Sequence, residues 1–193
     1  RLSLALADYV VTEAGFGADL GAEKFLDIKC RVAGLKPAAA VVVATVRALK
    51  MHGELPKNAL AEENLEALKA GLPNLLRHVR NMKEVYGLPA VVAVNRFPTD
   101  TDAEIGLVMD ACKELGVNVV LSTVWAEGGK GGEELAREVV RLCEQPNDFR
   151  YCYDEKLASQ EKIRALETKV HGGRGAATPP EAEAETVGVG GMG

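Results

Sequence analysis

The stretch that decides the fold is residues 89–101, which reads Pro-Ala-Val-Val-Ala-Val-Asn-Arg-Phe-Pro-Thr-Asp-Thr. Its first half is apolar without strict alternation, which is typical of a strand covered on both faces. Its second half turns polar at Asn95, and Thr101 followed three residues later by Glu104 has the pattern of a capping box. We therefore predict a buried strand that leads through a short loop into a helix.

Three similar apolar segments and several helical patterns extend this unit along the chain. The other predicted strands are Asp8 to Ala14, Ala38 to Val46, and Val117 to Trp125. Helical periodicity runs from Asn64, with Gly71 and Pro73 as candidate breaks, from Thr101 to Gly116, from near Gly132, and over residues 156–169. Strands that alternate with helices predict an α/β fold whose mainly parallel sheet is flanked by helices.

Composition excludes several classes of protein. The 193 residues carry 23 Lys+Arg against 28 Asp+Glu, and a net charge of −5 argues against a main role in binding nucleic acid. The four cysteines lack metal-ligand spacing, so we predict free thiols and no metal site. The longest apolar run, residues 38–46, is about half of a bilayer span. We expect a cytoplasmic protein without a membrane partner.

The chain divides by composition near residue 170. We predict an α/β core over residues 1–170 and a disordered tail over residues 171–193, which is rich in Gly, Ala, Pro and Glu. The chain opens at Arg1 and runs directly into apolar residues, so we expect it to be a piece of a longer polypeptide.

Ligands of open α/β sheets bind beyond the carboxyl ends of the strands, so residues there are the first candidates for a site. After the first predicted strand, Gly15 and Gly17 allow a close backbone approach to an anion, while Glu13 and Asp19 could hold a cation or a proton. The alternative is a tight turn with solvated acids. After the second, Arg47, Lys50 and His52 concentrate positive charge suited to phosphate or carboxylate, although these residues alone favour a solvated helix start.

Two aromatic residues follow the third and fourth predicted strands. Phe97 and Trp125 stand at neighbouring strand tips, where they could face each other and stack on a planar ring, at about 1–3 kcal/mol per face. A core position is the alternative for each. Asn95-Arg96 partly matches the base-reading Asn-Lys-x-Asp motif of P-loop GTPases, but the acid, Asp100, comes two places later than that motif requires.

Four strings, taken together and in order, resemble the formate–tetrahydrofolate ligase family over roughly residues 7–169. They occupy residues 12–25, 43–53, 95–101 and 125–132. The resemblance implies a P-loop NTPase-like fold and a reaction in which ATP phosphorylates formate, after which N10 of tetrahydrofolate attacks the formyl phosphate. It also implies magnesium, a monovalent cation and a homo-oligomer of the full-length protein.

Site residues carry over from the resemblance by position. Phe97 and Trp125 are similar to the aromatic pair that sandwiches the pterin ring, and the Glu13–Gly21 loop is similar to one that borders formyl phosphate. The resemblance thus implies Glu13 and Asp19 as catalytic candidates. It places Asn95 on the nucleotide side. From their residue types, we also predict Gly15, Gly17 and Arg47 on the ATP or phosphate side.

The chain departs from the family pattern in two places. Glu54 replaces the last glycine of a His-Gly-Gly signature, which bears on the local backbone geometry. No Gly-x-x-x-x-Gly-Lys-Ser/Thr loop occurs in these residues, and the family carries it upstream. We therefore expect a central fragment that contributes the folate side and is inactive alone. The alternatives are a nucleotide-binding switch, or a non-catalytic folate-binding or assembly module, on the same fold.

Overall fold

The computed structural model describes residues 2–173, which fall into two compact units. Unit 1 combines residues 2–36 with residues 150–173, and unit 2 spans residues 37–149. Most of the predicted tail, residues 174–193, lies outside the described residues.

A three-stranded parallel sheet forms the centre of unit 2. Its strands are β1 (Ala40–Ala44), β2 (Ala90–Asn95) and β3 (Asn118–Ser122), in that order across the sheet. Ala44 pairs with Val94, and Asn95 pairs with Ser122. Four consecutive residues of the middle strand, Val91 to Val94, are at most 1% exposed, because helices cover both faces of β2. The predicted α/β class with parallel strands is confirmed.

The strand predicted over residues 8–14 is wrong. This segment is irregular chain in unit 1, and Tyr9 and Val11 are 50% and 85% exposed. A β-strand requires a neighbour that satisfies its backbone hydrogen bonds, and no strand among residues 2–173 pairs with this segment. A Val- and Thr-rich composition does not replace such a neighbour.

Nine α-helical segments surround or follow these strands within residues 2–173. In chain order they are α1 (Leu2–Leu6), α2 (Ala18–Glu23), α3 (Arg31–Ala33), α4 (Val46–His52), α5 (Leu65–Arg80), α6 (Asp102–Glu114), α7 (Val124–Glu127), α8 (Glu133–Cys143) and α9 (Ser159–Leu166). π-Helical turns over Lys24–Cys30, Asn81–Val85 and Glu167–His171 join or extend α2, α5 and α9. The helices predicted from residues 64, 101, 132 and 156 correspond to α5, α6, α8 and α9.

Helix α5 continues through the two candidate breaks. Proline inside a helix costs about 3 kcal/mol, but the buried leucine and valine side chains on either side of Pro73 each contribute about 1.5–3 kcal/mol. Gly71 lies against the backbone carbonyl of Leu49 in α4, where a Cβ atom would overlap that oxygen. Glycine therefore allows α4 and α5 to pack backbone against backbone.

A buried ion pair joins α4 to α6. Lys50 Nζ lies 2.8 Å from Glu104 Oε1, and both residues are 0% exposed. Glu104 also accepts hydrogen bonds from the backbone N–H groups of Asn64 and Thr101, each at 3.1 Å, while Thr101 Oγ1 accepts from Glu104 N. The predicted capping box is confirmed, and its carboxylate has two further partners that connect three segments of unit 2.

The same contacts determine the ionisation of Glu104. Burial acts to raise the pKa of this carboxyl, but hydrogen bonds from Lys50, Asn64 and Thr101 outweigh burial and hold the pKa below its usual value of 4.5. The carboxylate consequently stabilises the folded state at neutral pH.

The end of α4 explains how Glu54 is accommodated. Leu55 N donates to Lys50 O and Glu54 N donates to Met51 O, both at 3.0 Å, which is the hydrogen-bond pattern of a Schellman motif. Glu54 occupies the left-handed position of this motif with φ 65°. The glycine-favouring backbone is thus retained with a glutamate in it, at a cost of about 1–2 kcal/mol.

Glu104→Gln is expected to lower the free energy of unfolding by about 3–5 kcal/mol, because Lys50 loses its buried counter-charge. Urea denaturation at pH 7 measures the loss. Glu114→Gln, at an exposed position of the same helix, is the matched control and should change stability by less than about 0.5 kcal/mol.

The same pair predicts a pH dependence. Because the native pKa of Glu104 is depressed, its contribution is complete above pH 4.5 and is lost as the pH falls through the native pKa. Melting temperatures between pH 6 and pH 3 should therefore fall less steeply for Glu104→Gln than for the wild type. Parallel curves would show that this carboxylate is not the linked group.

Glu54→Gly is expected to raise the free energy of unfolding by about 0.5–1 kcal/mol, since glycine removes the left-handed penalty but loses more chain entropy on folding. Chemical denaturation measures the gain. Glu54→Ala retains the penalty and serves as control, so an equal gain in both variants would contradict the backbone explanation.

Candidate functional site

The candidate site lies at the carboxyl edge of the sheet in unit 2. Because β1, β2 and β3 are parallel, the segments that follow them begin along the same edge. Thr45 caps α4 by accepting from Ala48 N at 3.1 Å, and Arg96 N donates to Ser122 O at 3.1 Å. The first turn of α4, the loop after β2 and the segment after β3 are the places where a ligand would meet this edge.

The loop after β2 is closed by two hydrogen bonds. Phe97 N donates to Asp100 Oδ2 at 2.8 Å, and Asp100 N donates to Phe97 O at 3.0 Å. Asp100 is only 5% exposed, and no residue among 2–173 hydrogen bonds to its Oδ1. The carboxylate thus holds the turn that carries Phe97, a role different from that of a base-reading acid.

Arg47 contacts Phe97 from the first turn of α4. Its Cζ lies 5.2 Å from the centroid of the Phe97 ring, within the range of a cation–π contact. Arg47 Nη2 donates to Thr99 Oγ1 at 3.3 Å. The structure therefore brings together two predicted site residues, Arg47 from the phosphate side and Phe97 from the folate side.

Trp125 lies on α7, directly after β3, and is 74% exposed. Thr123 anchors the start of this segment, since its hydroxyl donates to Glu127 Oε2 at 2.6 Å and its N–H donates to Gly131 O at 3.2 Å. A core position for this side chain is excluded by its exposure. An indole left in water at the binding edge of a sheet is typical of a contact surface.

Asn95 and the basic residues of α4 have different surroundings. Asn95 is exposed at the end of β2, on the same edge as Phe97 and Trp125. Lys50 is fully buried against Glu104 and adds no charge to the surface, so it belongs neither to an anion site nor to the solvated helix start that the sequence favours; a helix pattern cannot show which face turns inward. His52 is exposed.

The Glu13–Gly21 loop belongs to unit 1 and follows no strand. Gly15 and Phe16 both have positive φ, 67° and 63°, and Lys24 Nζ lies 4.5 Å from the centroid of the exposed Phe16 ring. A left-handed conformation is costly for a bulky residue, so this turn is strained. Glu13 and Gly15 line a depression together with Lys24 and Lys29.

The rest of this loop forms the start of α2. Gly17 is the N-terminal cap residue, and the Asp19 carboxylate folds back against it, so that a Cβ atom on Gly17 would meet Asp19 Oδ1. Gly21 lies against the carbonyl of Gly15. The predicted residues Glu13, Gly15, Gly17 and Asp19 thus share one local turn.

The model of the formate–tetrahydrofolate ligase family matches residues 1–190 of the chain. The chain belongs to the formate–tetrahydrofolate ligase family. The resemblance stated from the four strings is confirmed, and the family's reaction implies tetrahydrofolate, formate and ATP as substrates.

Two features of the chain concern ATP and metal ions. Its sequence contains no Gly-x-x-x-x-Gly-Lys-Ser/Thr loop for the ATP phosphates. Within residues 2–173, no three His, Cys, Asp or Glu side chains are grouped to hold a metal ion. Magnesium commonly keeps several waters and binds through substrate phosphates, so it requires no such group of side chains.

Burial raises the pKa of all four cysteine thiols. All four are free, as predicted, and burial raises the pKa of Cys112 and of Cys152 to about 11. Their thiols are therefore protonated at neutral pH. Separately, none of the helices within residues 2–173 has the length and apolar character needed to cross a membrane.

Sequence reasoning missed the roles of three residues. Asp100 gave no turn signal, because an Asx turn joins a side chain to backbone further along the chain, whereas Asp100 accepts from Phe97 N, three residues before it. Thr99 and Lys24 gave none either: their contacts with Arg47 and Phe16 depend on how separate segments pack.

Asp100→Ala is expected to lower the free energy of unfolding by about 1–2 kcal/mol, because Phe97 N loses its acceptor, whereas Asp100→Asn keeps an acceptor and changes stability less. Urea denaturation measures the free energy of unfolding of both variants, and titration with GTP measures their affinity for this nucleotide. If Asp100 instead read a guanine edge, Asp100→Asn would lose measurable GTP affinity without a change in stability.

Proposed function

We propose that this chain carries the tetrahydrofolate side of the ligase reaction, with the pterin ring held between Phe97 and Trp125. Within the full-length enzyme, formate is activated by ATP as formyl phosphate, and N10 of the bound tetrahydrofolate attacks it to give 10-formyltetrahydrofolate. The same proposal includes a P-loop NTPase-like fold, of which this chain lacks the P-loop segment.

The observation that carries the proposal is the placement of the two rings. Phe97 comes two residues after Asn95, Trp125 comes three residues after Ser122, and Asn95 pairs with Ser122 in the sheet. Both rings therefore start from adjacent points of one edge, and Trp125 is largely exposed there. Stacking on both faces would contribute about 1–3 kcal/mol per face.

The chemistry of the formyl phosphate intermediate gives a role to the remaining predicted residues. An acyl phosphate is an anion that must be kept from water until the amine attacks. We assign Gly15 and Gly17 to backbone contact with this anion, Asn95 to the nucleotide side, and Glu13 and Asp19 to holding a cation or a proton. The strained turn at Gly15 and Phe16, with the ammonium of Lys24 beside it, supports an anion near this loop.

Trp125→Ala is expected to raise the Kd for tetrahydrofolate about ten- to hundredfold, the loss of one stacking face. Isothermal titration calorimetry measures this Kd. Because Trp125 is the only tryptophan, quenching of intrinsic fluorescence in the wild-type chain reports directly on stacking. Tyr9→Ala, at another exposed aromatic residue, should leave the Kd unchanged.

An unchanged Kd for tetrahydrofolate in Trp125→Ala would overturn the proposed clamp, in which Phe97 and Trp125 hold the pterin ring between them. Binding of GTP with no response to tetrahydrofolate would instead support a nucleotide-binding switch. Circular dichroism of each variant separates loss of ligand binding from loss of fold.

A further inference from the structure

Two contacts hold the Arg47 side chain. Its cation lies over the Phe97 ring, with Cζ 5.2 Å from the ring centroid, and its Nη2 donates to Thr99 Oγ1 at 3.3 Å. Its Nε is buried and has no hydrogen-bond partner among residues 2–173. An arginine that binds phosphate presents its donor edge to the ligand. Here the cation lies over an aromatic ring, and one donor is already used by Thr99 of the adjacent loop.

Phe97 receives two independent restraints from its surroundings. Asp100 fixes the backbone of the turn through Phe97 N, and Arg47 covers the ring of the side chain. A phenyl ring at the tip of a loop otherwise turns about χ1 and χ2 and loses that freedom when a ligand stacks on it. Restraint before binding reduces this entropic cost.

We propose that Arg47 is a positioning residue of the tetrahydrofolate clamp: it fixes the ring of Phe97 for stacking and does not contact the ATP phosphates. This inference rests on the proposed function and changes the phosphate-side role that the positive charge of Arg47 predicts from the sequence. Thr99 holds the guanidinium in place, and the ring face turned away from Arg47 is the one that receives the pterin.

Lysine can replace arginine as a phosphate ligand but not as the residue that fixes the Phe97 ring. A phosphate contact needs a positive point charge, which lysine supplies. A stacked position with a hydrogen bond to Thr99 needs the planar guanidinium, which lysine lacks. Arg47→Lys therefore distinguishes a positioning residue from a phosphate ligand.

Arg47→Met is expected to raise the Kd for tetrahydrofolate roughly three- to thirtyfold, and Arg47→Lys is expected to raise it nearly as much. Isothermal titration of the full chain with tetrahydrofolate measures both. Arg77→Met, which removes an exposed arginine of α5, is the matched control and should leave the Kd unchanged. Thr99→Val, which removes only the hydroxyl that accepts from Arg47, should also raise the Kd for tetrahydrofolate, but by a smaller factor.

A double-mutant cycle separates positioning from general damage. In the Phe97→Leu background the ring is gone, so Arg47→Met should cause little further loss of affinity. Equal losses in both backgrounds, or a wild-type Kd in Arg47→Met or Arg47→Lys, would overturn the inference.

Comparison of Trp125→Ala with Arg47→Met distinguishes a wrong role for Arg47 from failure of the clamp formed by Phe97 and Trp125. If Trp125→Ala weakens binding while Arg47→Met does not, the clamp stands and only the role of Arg47 is wrong. If neither substitution alters the Kd, the proposed function fails together with this inference. Melting temperatures of all variants identify any that lose the fold, and for those Thr99→Val provides the test.

Discussion

The buried pair of Lys50 and Glu104 is the constraint on which the rest of unit 2 depends. The Glu104 carboxylate binds the Lys50 ammonium on α4 and accepts from the backbone N–H groups of Asn64, before α5, and of Thr101, at the start of α6. One side chain therefore joins three segments that are distant in sequence. A buried charge without a partner is costly, so the arrangement tolerates little displacement. Arg47 lies one turn before Lys50, and Phe97 lies four residues before Thr101. The pair therefore holds both side chains in relation to each other.

The site combines a rigid sheet edge with short polar connections. The register of β2 and β3 places the starts of two segments side by side, and local hydrogen bonds from Asp100 and Thr123 shape the turns that follow. Aromatic side chains are then presented by backbone that is already ordered. Such preorganisation suits a planar ligand, because little freedom is lost when the ring stacks.

Backbone geometry persists at two positions where the residue type opposes it. Glu54 adopts a left-handed conformation at the end of α4, and Phe16 does so beside Gly15. At Glu54 the cause is visible, since the Schellman hydrogen bonds of α4 require that conformation. At Phe16 the cation of Lys24 lies over the exposed ring, and strain of this kind is typical of functional loops.

The sequence by itself determined the parallel α/β class, the capping box at Thr101, the family and the two aromatic residues at strand ends. These follow from local patterns: apolar runs, a fixed spacing between cap residues, and motifs in a set order. Only the tertiary structure decided that residues 8–14 are not a strand, that Lys50 is buried against Glu104, and that the cation of Arg47 lies over the Phe97 ring. Each of these depends on a partner many residues away, and a linear pattern does not specify which face of a helix or which neighbouring strand will be met.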